Sequence, residues 1–135
     1  MTAAVLSVFQ NGPVDNACFY DARLGPSIYG GMFNPMTHKP LSAYYSFVFF
    51  NELYKLGTQI KAESDDEDVY VLSASDGKTA QTMVINTVDT TKPLDVKLNG
   101  KITACKLLGA TLIPEDTDLP CELAPETVLL ITSEI

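Results

Sequence analysis

The stretch that decides the fold reads Ala43-Tyr-Tyr-Ser-Phe-Val-Phe-Phe-Asn-Glu-Leu-Tyr-Lys-Leu-Gly57. It makes up most of a predicted helix, Leu41 to Leu56, which Pro40 precedes and Gly57 ends as the C-terminal cap. Large apolar and aromatic side chains lie around most of this helix, which is wider than the apolar face of an ordinary amphipathic helix. We therefore expect other parts of the protein to cover it on more than one side.

Aromatic residues and charges are both unevenly distributed along the chain. Of the 6 Phe and 6 Tyr, only Tyr70 lies after Gly57. Residues 1–57 have balanced charges, so residues 58–135 account for the net charge of −8. The sequence therefore predicts two parts, a helical segment 1–57 and a β domain 58–135.

The N-terminal part contains two further predicted elements. Thr2 to Gln10 is predicted to be a short helix, which Asn11-Gly12-Pro13 ends. Val14 to Tyr20 is mostly apolar, which is typical of a strand buried on both faces. A loop rich in Gly and Pro follows this strand and leads to the aromatic helix.

After Gly57 the apolar period changes to two, which indicates strands. Residues 69–74 and 79–86 alternate on either side of Asp76-Gly77, which predicts a hairpin. Further strands are predicted at Leu94–Leu98, Lys101–Leu108 and Thr127–Thr132, and a loop at Pro114–Pro120. The predicted fold is mainly β: an antiparallel β-sandwich preceded by a short helix, a strand and a long aromatic-rich helix.

Composition excludes several classes of function. A pI near 4.4 with one Arg argues against a nucleic-acid partner. No window has the length and polarity of a membrane span, and the first residues lack the basic start of a secretory signal. We therefore expect no membrane partner, and a cytoplasmic protein or a fragment that has lost its leader.

The 3 cysteines, Cys18, Cys105 and Cys121, are odd in number and far apart. This spacing predicts neither a disulfide framework nor a metal site, so we expect buried free thiols. No motif for a cofactor is present, and we expect none.

Two polar features were considered as sites and given simpler interpretations. The acidic run Glu63 to Asp68 lacks the Gly and the distal Glu of a calcium-binding EF-hand loop, so a solvated hairpin entrance is favoured. His38 is the single His, lies in a polar turn, and has no second His to share a catalytic or metal site. We interpret it as a surface or capping residue.

A more promising cluster follows the predicted strand Val14 to Tyr20. Ligand-contacting residues of parallel α/β folds gather at the C-terminal ends of strands. Tyr20, Asp21, Arg23 and Tyr29 are therefore candidate substrate-binding residues. The alternative is an Asp–Arg pair that only holds the loop, and the sequence does not decide between the two. No catalytic residue is predicted.

Three segments carry a resemblance to a known family: Pro13-Val-Asp-Asn-Ala-Cys-Phe-Tyr-Asp-Ala-Arg23, Gly30-Gly-Met-Phe-Asn-Pro-Met-Thr-His-Lys-Pro-Leu-Ser-Ala-Tyr-Tyr-Ser-Phe47 and Phe50-Asn-Glu-Leu-Tyr-Lys-Leu-Gly57. They resemble the C-terminal part of a bacterial glycoside hydrolase of the β-xylosidase and α-L-arabinofuranosidase-like types. In these enzymes a (β/α)8 barrel precedes a β-sandwich. The segment Leu123 to Ile131 also resembles the last strand of that sandwich.

The resemblance implies that residues 1–57 are the end of the barrel and residues 58–135 the sandwich. In this family the acid/base Glu follows the fourth barrel strand and the nucleophile Glu follows the seventh. Both would lie before Met1, and no residue here matches either motif. The chain alone is therefore expected to be inactive and to support the barrel, with carbohydrate as its expected ligand class.

Two alternative functions remain. The first is a carbohydrate-binding module, although the β part offers only Tyr70 for stacking on sugar rings. The second is a structural or oligomerisation domain without a sugar ligand. Because the aromatic helix Leu41 to Leu56 needs burial, we expect it to pack on the sandwich or to form a homo-oligomer.

Overall fold

A computed structural model describes residues 2–25, 30–109 and 113–135 of the 135-residue chain. Its two helices and eight strands follow the chain in this order: α1 (Thr2–Asn11), α2 (Ser42–Lys55), β1 (Thr58–Ile60), β2 (Val69–Ser75), β3 (Thr79–Asn86), β4 (Lys92–Pro93), β5 (Lys101–Leu108), β6 (Glu115–Thr117), β7 (Glu122–Leu123) and β8 (Val128–Glu134). The mainly β fold predicted from the sequence is confirmed. No helix in the described ranges has both the length and the apolar character needed to cross a membrane.

Both predicted helices form, with ends within one residue of the predicted ones. The end of α2 follows the expected capping chemistry. Gly57 has a positive φ of 82°, and its N–H donates to the carbonyl of Tyr54 at 3.0 Å. Glycine takes this left-handed conformation without the steric cost of a Cβ atom, so the chain can leave the helix and enter β1 at once.

The predicted strand Val14 to Tyr20 is wrong for this chain. Residues 14–20 have no regular secondary structure, and all of them are exposed. A strand needs a neighbour to take up its backbone hydrogen bonds, and none of the described strands pairs with this segment. Its apolar sequence therefore indicated neither burial nor a strand partner among the described residues.

The strands form a six-stranded antiparallel sheet in the order β1-β2-β3-β8-β5-β6, with β4 and β7 as a separate pair. The predicted hairpin is confirmed as β2 and β3, whose register places Leu72 opposite Met83. At its turn, the Oδ1 of Asp76 accepts hydrogen bonds from the backbone N–H groups of Lys78 and Thr79. The predicted strand at Lys101–Leu108 is also confirmed.

Two predictions within the β part are wrong. Leu94 to Leu98 is not a strand, although its side chains still alternate between half-buried and exposed, and the short strand β4 comes just before it. The loop predicted at Pro114–Pro120 contains β6, which pairs with the edge of β5. In both places a neighbouring segment, rather than the local sequence, decides which backbone groups are paired.

The central strands β3 and β8 are buried on both faces. On one face, Met83 and Leu130 join a cluster with Phe49 and Leu53 of α2 and with Ala3 of α1. On the opposite face, Val84 and Leu129 pack with Leu123, and Leu94, Val96 and Leu98 extend that cluster. The sheet is thus covered by the two helices on one side and by the β4–β7 region on the other.

The aromatic helix packs on the sheet of the same chain, which is one of the two arrangements predicted for it. Phe49 is only 2% exposed, and Phe47 and Phe50 are half-buried. The predicted boundary at Gly57 separates helices from strands along the sequence, but the first hydrophobic cluster spans it. The division of the chain into two domains stays a prediction.

Replacing Phe49 tests this docking of α2 on the sheet. We expect Phe49→Ala to lower the free energy of unfolding by about 3–5 kcal/mol, because it removes a buried ring and leaves a cavity. Urea unfolding followed by circular dichroism measures the change. Met36→Ala is the control, since Met36 is 88% exposed and should shift stability by no more than about 0.5 kcal/mol. Equal unfolding midpoints for both variants would contradict the packing described above.

Candidate functional site

Asp21 and Arg23, two of the predicted site residues, form an ion pair in the loop before α2. The Asp21 carboxylate is buried, with its side chain 7% exposed, whereas the Arg23 side chain is 61% exposed. One carboxylate oxygen accepts the backbone N–H of Arg23 at 2.9 Å, and the other faces the Nε of the same residue. The Arg23 guanidinium therefore offsets part of the cost of burying the Asp21 charge.

The backbone of Asp21 also joins the two ends of this loop. Its carbonyl accepts the N–H of Met32 at 3.4 Å, which brings the chain back after the segment 22–31. The structure contains the Asp–Arg pair of one of the two interpretations left open. A contact with ligand stays a prediction.

The other two candidates are placed differently. Tyr20 is adjacent to Asp21 in the chain and is 65% exposed. Tyr29 lies outside the described residues. The structure thus brings Asp21 and Arg23 together and leaves Tyr20 at the surface beside them.

A pair of aromatic rings anchors the start of this loop to α2. Phe19 meets Phe47 edge to face, with ring centroids 5.3 Å apart. Edge-to-face pairs of this kind add about 0.5–1.5 kcal/mol beyond the area that they bury. The position of the Asp21 loop therefore depends on the aromatic helix. No local sequence signal indicates this contact.

His38 lies in the polar turn that the sequence predicted. It is exposed and has a positive φ of 56°, in a turn where the Asn34 side chain accepts the N–H groups of Met36 and Thr37. The backbone N–H of His38 donates to the carbonyl of Asn34 at 2.8 Å. These contacts describe a surface turn, as the sequence analysis favoured.

The acidic run Glu63 to Asp68 has a partner that the sequence analysis missed. The Nζ of Lys92 lies 2.9 Å from a carboxylate oxygen of Asp66 and 2.8 Å from one of Asp68, and the Lys92 side chain is only 17% exposed. Part of the run therefore binds a lysine of β4 instead of remaining a fully solvated stretch. The separation of 24 residues between Asp68 and Lys92 explains why inspection of the run alone could not reveal it.

This triad is reflected in the pKa values of its members. The hydrogen bond from Lys92 is the main cause that lowers the pKa of Asp66 from its usual 3.8, and the N–H of Asp68 adds to it. The hydrogen bonds to Asp68 and Asp66 raise the pKa of Lys92 above 10.5. No group of three or more metal-ligating side chains lies together within residues 2–25, 30–109 and 113–135.

The expectation of buried thiols holds for only one of the cysteines. Cys105 is buried, and this burial is the main cause that raises the pKa of its thiol. Cys18 and Cys121 are exposed, which corrects the prediction. Cys18 lies in the segment 14–20 that lacks a strand partner, and Cys121 lies in the bend before β7.

Tyr70, the lone aromatic residue of the β part, lies on the face of the sheet that the helices cover. It pairs with Ile85, whose side chain belongs to the helix-facing cluster, and it borders a wide hollow beside Val8 of α1. The opposite face of the sheet therefore gains no aromatic platform from Tyr70. This weakens the argument for sugar stacking on the β part itself.

Comparison with known proteins finds similarity in fold but not in sequence. No family model and no curated protein matches this chain. Its fold is similar to part of the glycoside hydrolase family 30 subfamily 8 xylanase Xyn30A from Clostridium acetobutylicum, with a TM-score of 0.60 and 16% identity over 78% of this chain. It is also similar to part of a GH30 endoxylanase from Clostridium papyrosolvens C71, with a TM-score of 0.57 and 11% identity over 76% of this chain.

The matched region is a minor part of both enzymes. It covers 31% of the first xylanase chain and 30% of the second. At such low identity the likeness establishes a shared fold and no more. The chain therefore has the fold of a portion of two glycoside hydrolase structures, a mainly antiparallel sheet with two helices on one face.

Lys92→Met tests the triad through the pH dependence of stability. A lowered pKa at Asp66 contributes stability above pH 3.8 that is lost as the pH falls through the lowered value. A raised pKa at Lys92 contributes stability below pH 10.5 that is lost as the pH rises through the raised value. Wild type should thus be more stable than the variant near neutral pH, and the difference should narrow in strong acid and strong base.

Urea unfolding midpoints at about pH 3, 7 and 11 measure this difference. Lys97→Met is the matched control, since Lys97 is exposed and forms none of the ion pairs described above. A Lys92→Met effect that does not change with pH would show that the lysine stem, rather than its charge, stabilises β4.

Proposed function

We propose that this chain is the C-terminal, non-catalytic part of a glycoside hydrolase that acts on plant-type polysaccharide, and that it supports the catalytic barrel. Two independent lines support the proposal. The fold is shared with about a third of two xylanase structures. The segments 13–23, 30–47 and 50–57 resemble the C-terminal part of β-xylosidase and arabinofuranosidase-like enzymes, and the finer assignment to those types depends on this resemblance alone.

The observation that carries the proposal is a set of exposed apolar side chains in the N-terminal part of the chain, here called the N-terminal patch. It consists of exposed side chains from α1 and from the segment after it: Val5, Val8, Phe9, Val14, Phe19 and Tyr20. Exposed apolar side chains that group together on a surface usually mark an interface. In our proposal the remainder of the barrel packs against this patch.

Residues 14–19 support the same conclusion. They are apolar at Val14, Ala17 and Phe19, yet all of them are exposed and none of the described strands pairs with them. Exposed backbone groups of an extended segment are ready to pair with another strand. A neighbouring strand supplied by a barrel would satisfy these groups and cover the apolar side chains together.

In this proposal, the loop residues Tyr20, Asp21 and Arg23 border a sugar site. Tyr20 and the Arg23 side chain are both largely exposed, and the ion pair with Asp21 holds Arg23 close to Tyr20 in the chain. Tyr29 is kept as a further candidate from the sequence. Their contact with sugar remains part of the proposal.

The isolated chain should not hydrolyse glycosides. Cleavage needs two carboxyl groups on either side of the scissile bond, and the resemblance assigns both to segments outside this sequence. Incubation with aryl β-xylosides and aryl α-L-arabinofuranosides, with release of the phenol followed by absorbance, measures this. Turnover that survives repurification and scales with the amount of chain would overturn the proposal. Heat-unfolded protein provides the background rate.

A structural or oligomerisation domain remains the second candidate, favoured by the half-buried Phe47 and Phe50 and the exposed Tyr54 on α2. In the absence of a barrel, self-association is one way to cover these helices. We propose that the isolated chain forms homo-oligomers through its helices, with α2 as the expected contact and the N-terminal patch as the alternative contact.

Light scattering at several protein concentrations tests self-association. We expect a mass above that of one 14.7 kDa chain. Tyr54→Glu should shift the chain to monomer if α2 forms the contact, whereas Val8→Glu should do so if the N-terminal patch forms it, because a charge in an apolar interface is costly. A wild-type chain that stays monomeric at every concentration would exclude both contacts.

A further inference from the structure

Two Asn-Gly dipeptides occur in the chain, and they lie in different surroundings. Asn11-Gly12 ends helix α1, whereas Asn99-Gly100 lies in a bend directly before β5. All of these residues are exposed. The side-chain amide of an asparagine reacts with the backbone nitrogen of the next residue, and a glycine leaves that nitrogen accessible because it has no Cβ atom. Since the two dipeptides share their sequence and their exposure, local structure decides which one reacts.

The fold requires a glycine at position 100. Its φ of 118° lies in a region that residues with a Cβ atom rarely adopt. A Cβ atom there would also clash with the backbone carbonyl of Glu134, which cannot rotate away as a side chain would. A contact within the sheet, rather than the bend itself, therefore fixes the neighbour that makes Asn99 reactive.

The two reacting groups at Asn99-Gly100 are unrestrained. Within residues 2–25, 30–109 and 113–135, no hydrogen bond holds the Asn99 side chain, and no carbonyl accepts the N–H of Gly100. Asn99 also lies outside the helices and strands, so no ladder of hydrogen bonds fixes its ψ. Segments with few backbone hydrogen bonds change conformation at little cost, which allows the amide and the nitrogen to meet.

Both reacting groups are restrained at the other dipeptide. The N–H of Gly12 donates to the carbonyl of Phe9 at 3.2 Å, and the Oδ1 of Asn11 accepts the Nε2 of Gln59 at 2.7 Å. Asn11 is also the last residue of α1, where helical hydrogen bonds hold the backbone. Attack on the Asn11 amide would have to break these contacts first. The chain thus contains an open dipeptide and a matched protected one.

We propose that Asn99 is a site of spontaneous deamidation that proceeds through a succinimide. The Gly100 nitrogen loses its proton to solvent and attacks Cγ of Asn99. A new C–N bond forms, and the bond from Cγ to the side-chain nitrogen breaks with release of ammonia. Water then opens the succinimide ring at either carbonyl and leaves an aspartyl or an isoaspartyl residue. Water is the only co-reactant, and the reaction is independent of the proposed support of a barrel.

The isoaspartyl product weakens the junction of β5 and β8. In this product the main chain runs through the side-chain carbon, so the backbone before Gly100 gains a methylene group. Gly100 packs directly on Glu134, and Lys101 pairs with Glu134 in the sheet. A longer backbone at position 99 therefore displaces the start of β5 from its partner. Because β8 lies between β3 and β5, the whole sheet loses stability.

Incubation of the full chain at mildly alkaline pH, followed by peptide mapping with mass spectrometry, tests the proposal. We expect isoaspartyl product at Asn99. The rate at Asn11 should be lower by about ten-fold or more, as a cost on the order of 1.4 kcal/mol for breaking its hydrogen bonds implies. In concentrated urea both dipeptides lose their folded surroundings, so the two rates should converge. Isoaspartyl product identifies the succinimide, because direct hydrolysis of the amide gives only the aspartyl residue.

Asn99→Gln is the matched variant, since glutamine would have to close a larger ring and position 99 is exposed. After incubation, wild type should unfold at a lower urea concentration than before, whereas Asn99→Gln should keep its midpoint. Equal rates at Asn99 and Asn11 in the folded chain would overturn the proposal, as would the absence of isoaspartyl product at Asn99. An equal loss of stability in both incubated chains would contradict the predicted weakening of the β5–β8 junction.

Discussion

Burial of β3 and β8 on both faces is the constraint on which the rest of the structure depends. Met83, Ile85, Leu129 and Ile131 are at most 1% exposed, although antiparallel sheets commonly leave one face to water. Such strands cannot remain stable unless something covers each face, because exposed apolar area costs about 25 cal/mol per Å². The helices α1 and α2 cover one face, so the N-terminal part contributes to the core even though its sequence differs so strongly from the rest.

The cover on the second face is irregular and is held by polar contacts. Asn86, at the end of β3, is 1% exposed. Its amide nitrogen lies within hydrogen-bonding distance of three backbone carbonyls, those of Thr90, Leu123 and Ala124. These contacts hold Thr90 and the segment around β7 to the end of β3, as buried polar groups must find partners. Lys92 adds an ionic tie between β4 and the acidic run.

Local sequence signals were sufficient wherever an element is decided by its own residues. The ends of α2, the Asp76-Gly77 turn and the strand Lys101–Leu108 follow from capping, turn chemistry and alternation. These local signals were insufficient where contact with a distant segment decides the local structure. Apolar residues at Val14 and Phe19 predicted a buried strand, but both are exposed, since none of the described strands lies beside them. Leu94, Val96 and Leu98 keep their alternation while packing under the sheet without joining it. Gly100 is fixed by a contact 34 positions away, since a Cβ there would lie 2.1 Å from the carbonyl oxygen of Glu134.

The side-chain contacts differ in the same way, according to whether their partners are near or distant in the sequence. Asp21 and Arg23 are two positions apart, so their pairing was open to inspection of the sequence, and the structure adds only that the carboxylate is buried. The amides of Gln10 and Gln59 meet across 49 positions, and neither residue stands out in its own segment. Tyr54 belongs to the aromatic helix that was predicted to be covered, yet it is 75% exposed, because α2 packs on the sheet through Phe49 and Leu53. A helix that is apolar nearly all round must leave some aromatic residue outside any single-sided packing. The side on which that residue emerges is set by the sheet, and in this protein it emerges beside neutral amides at the end of β1.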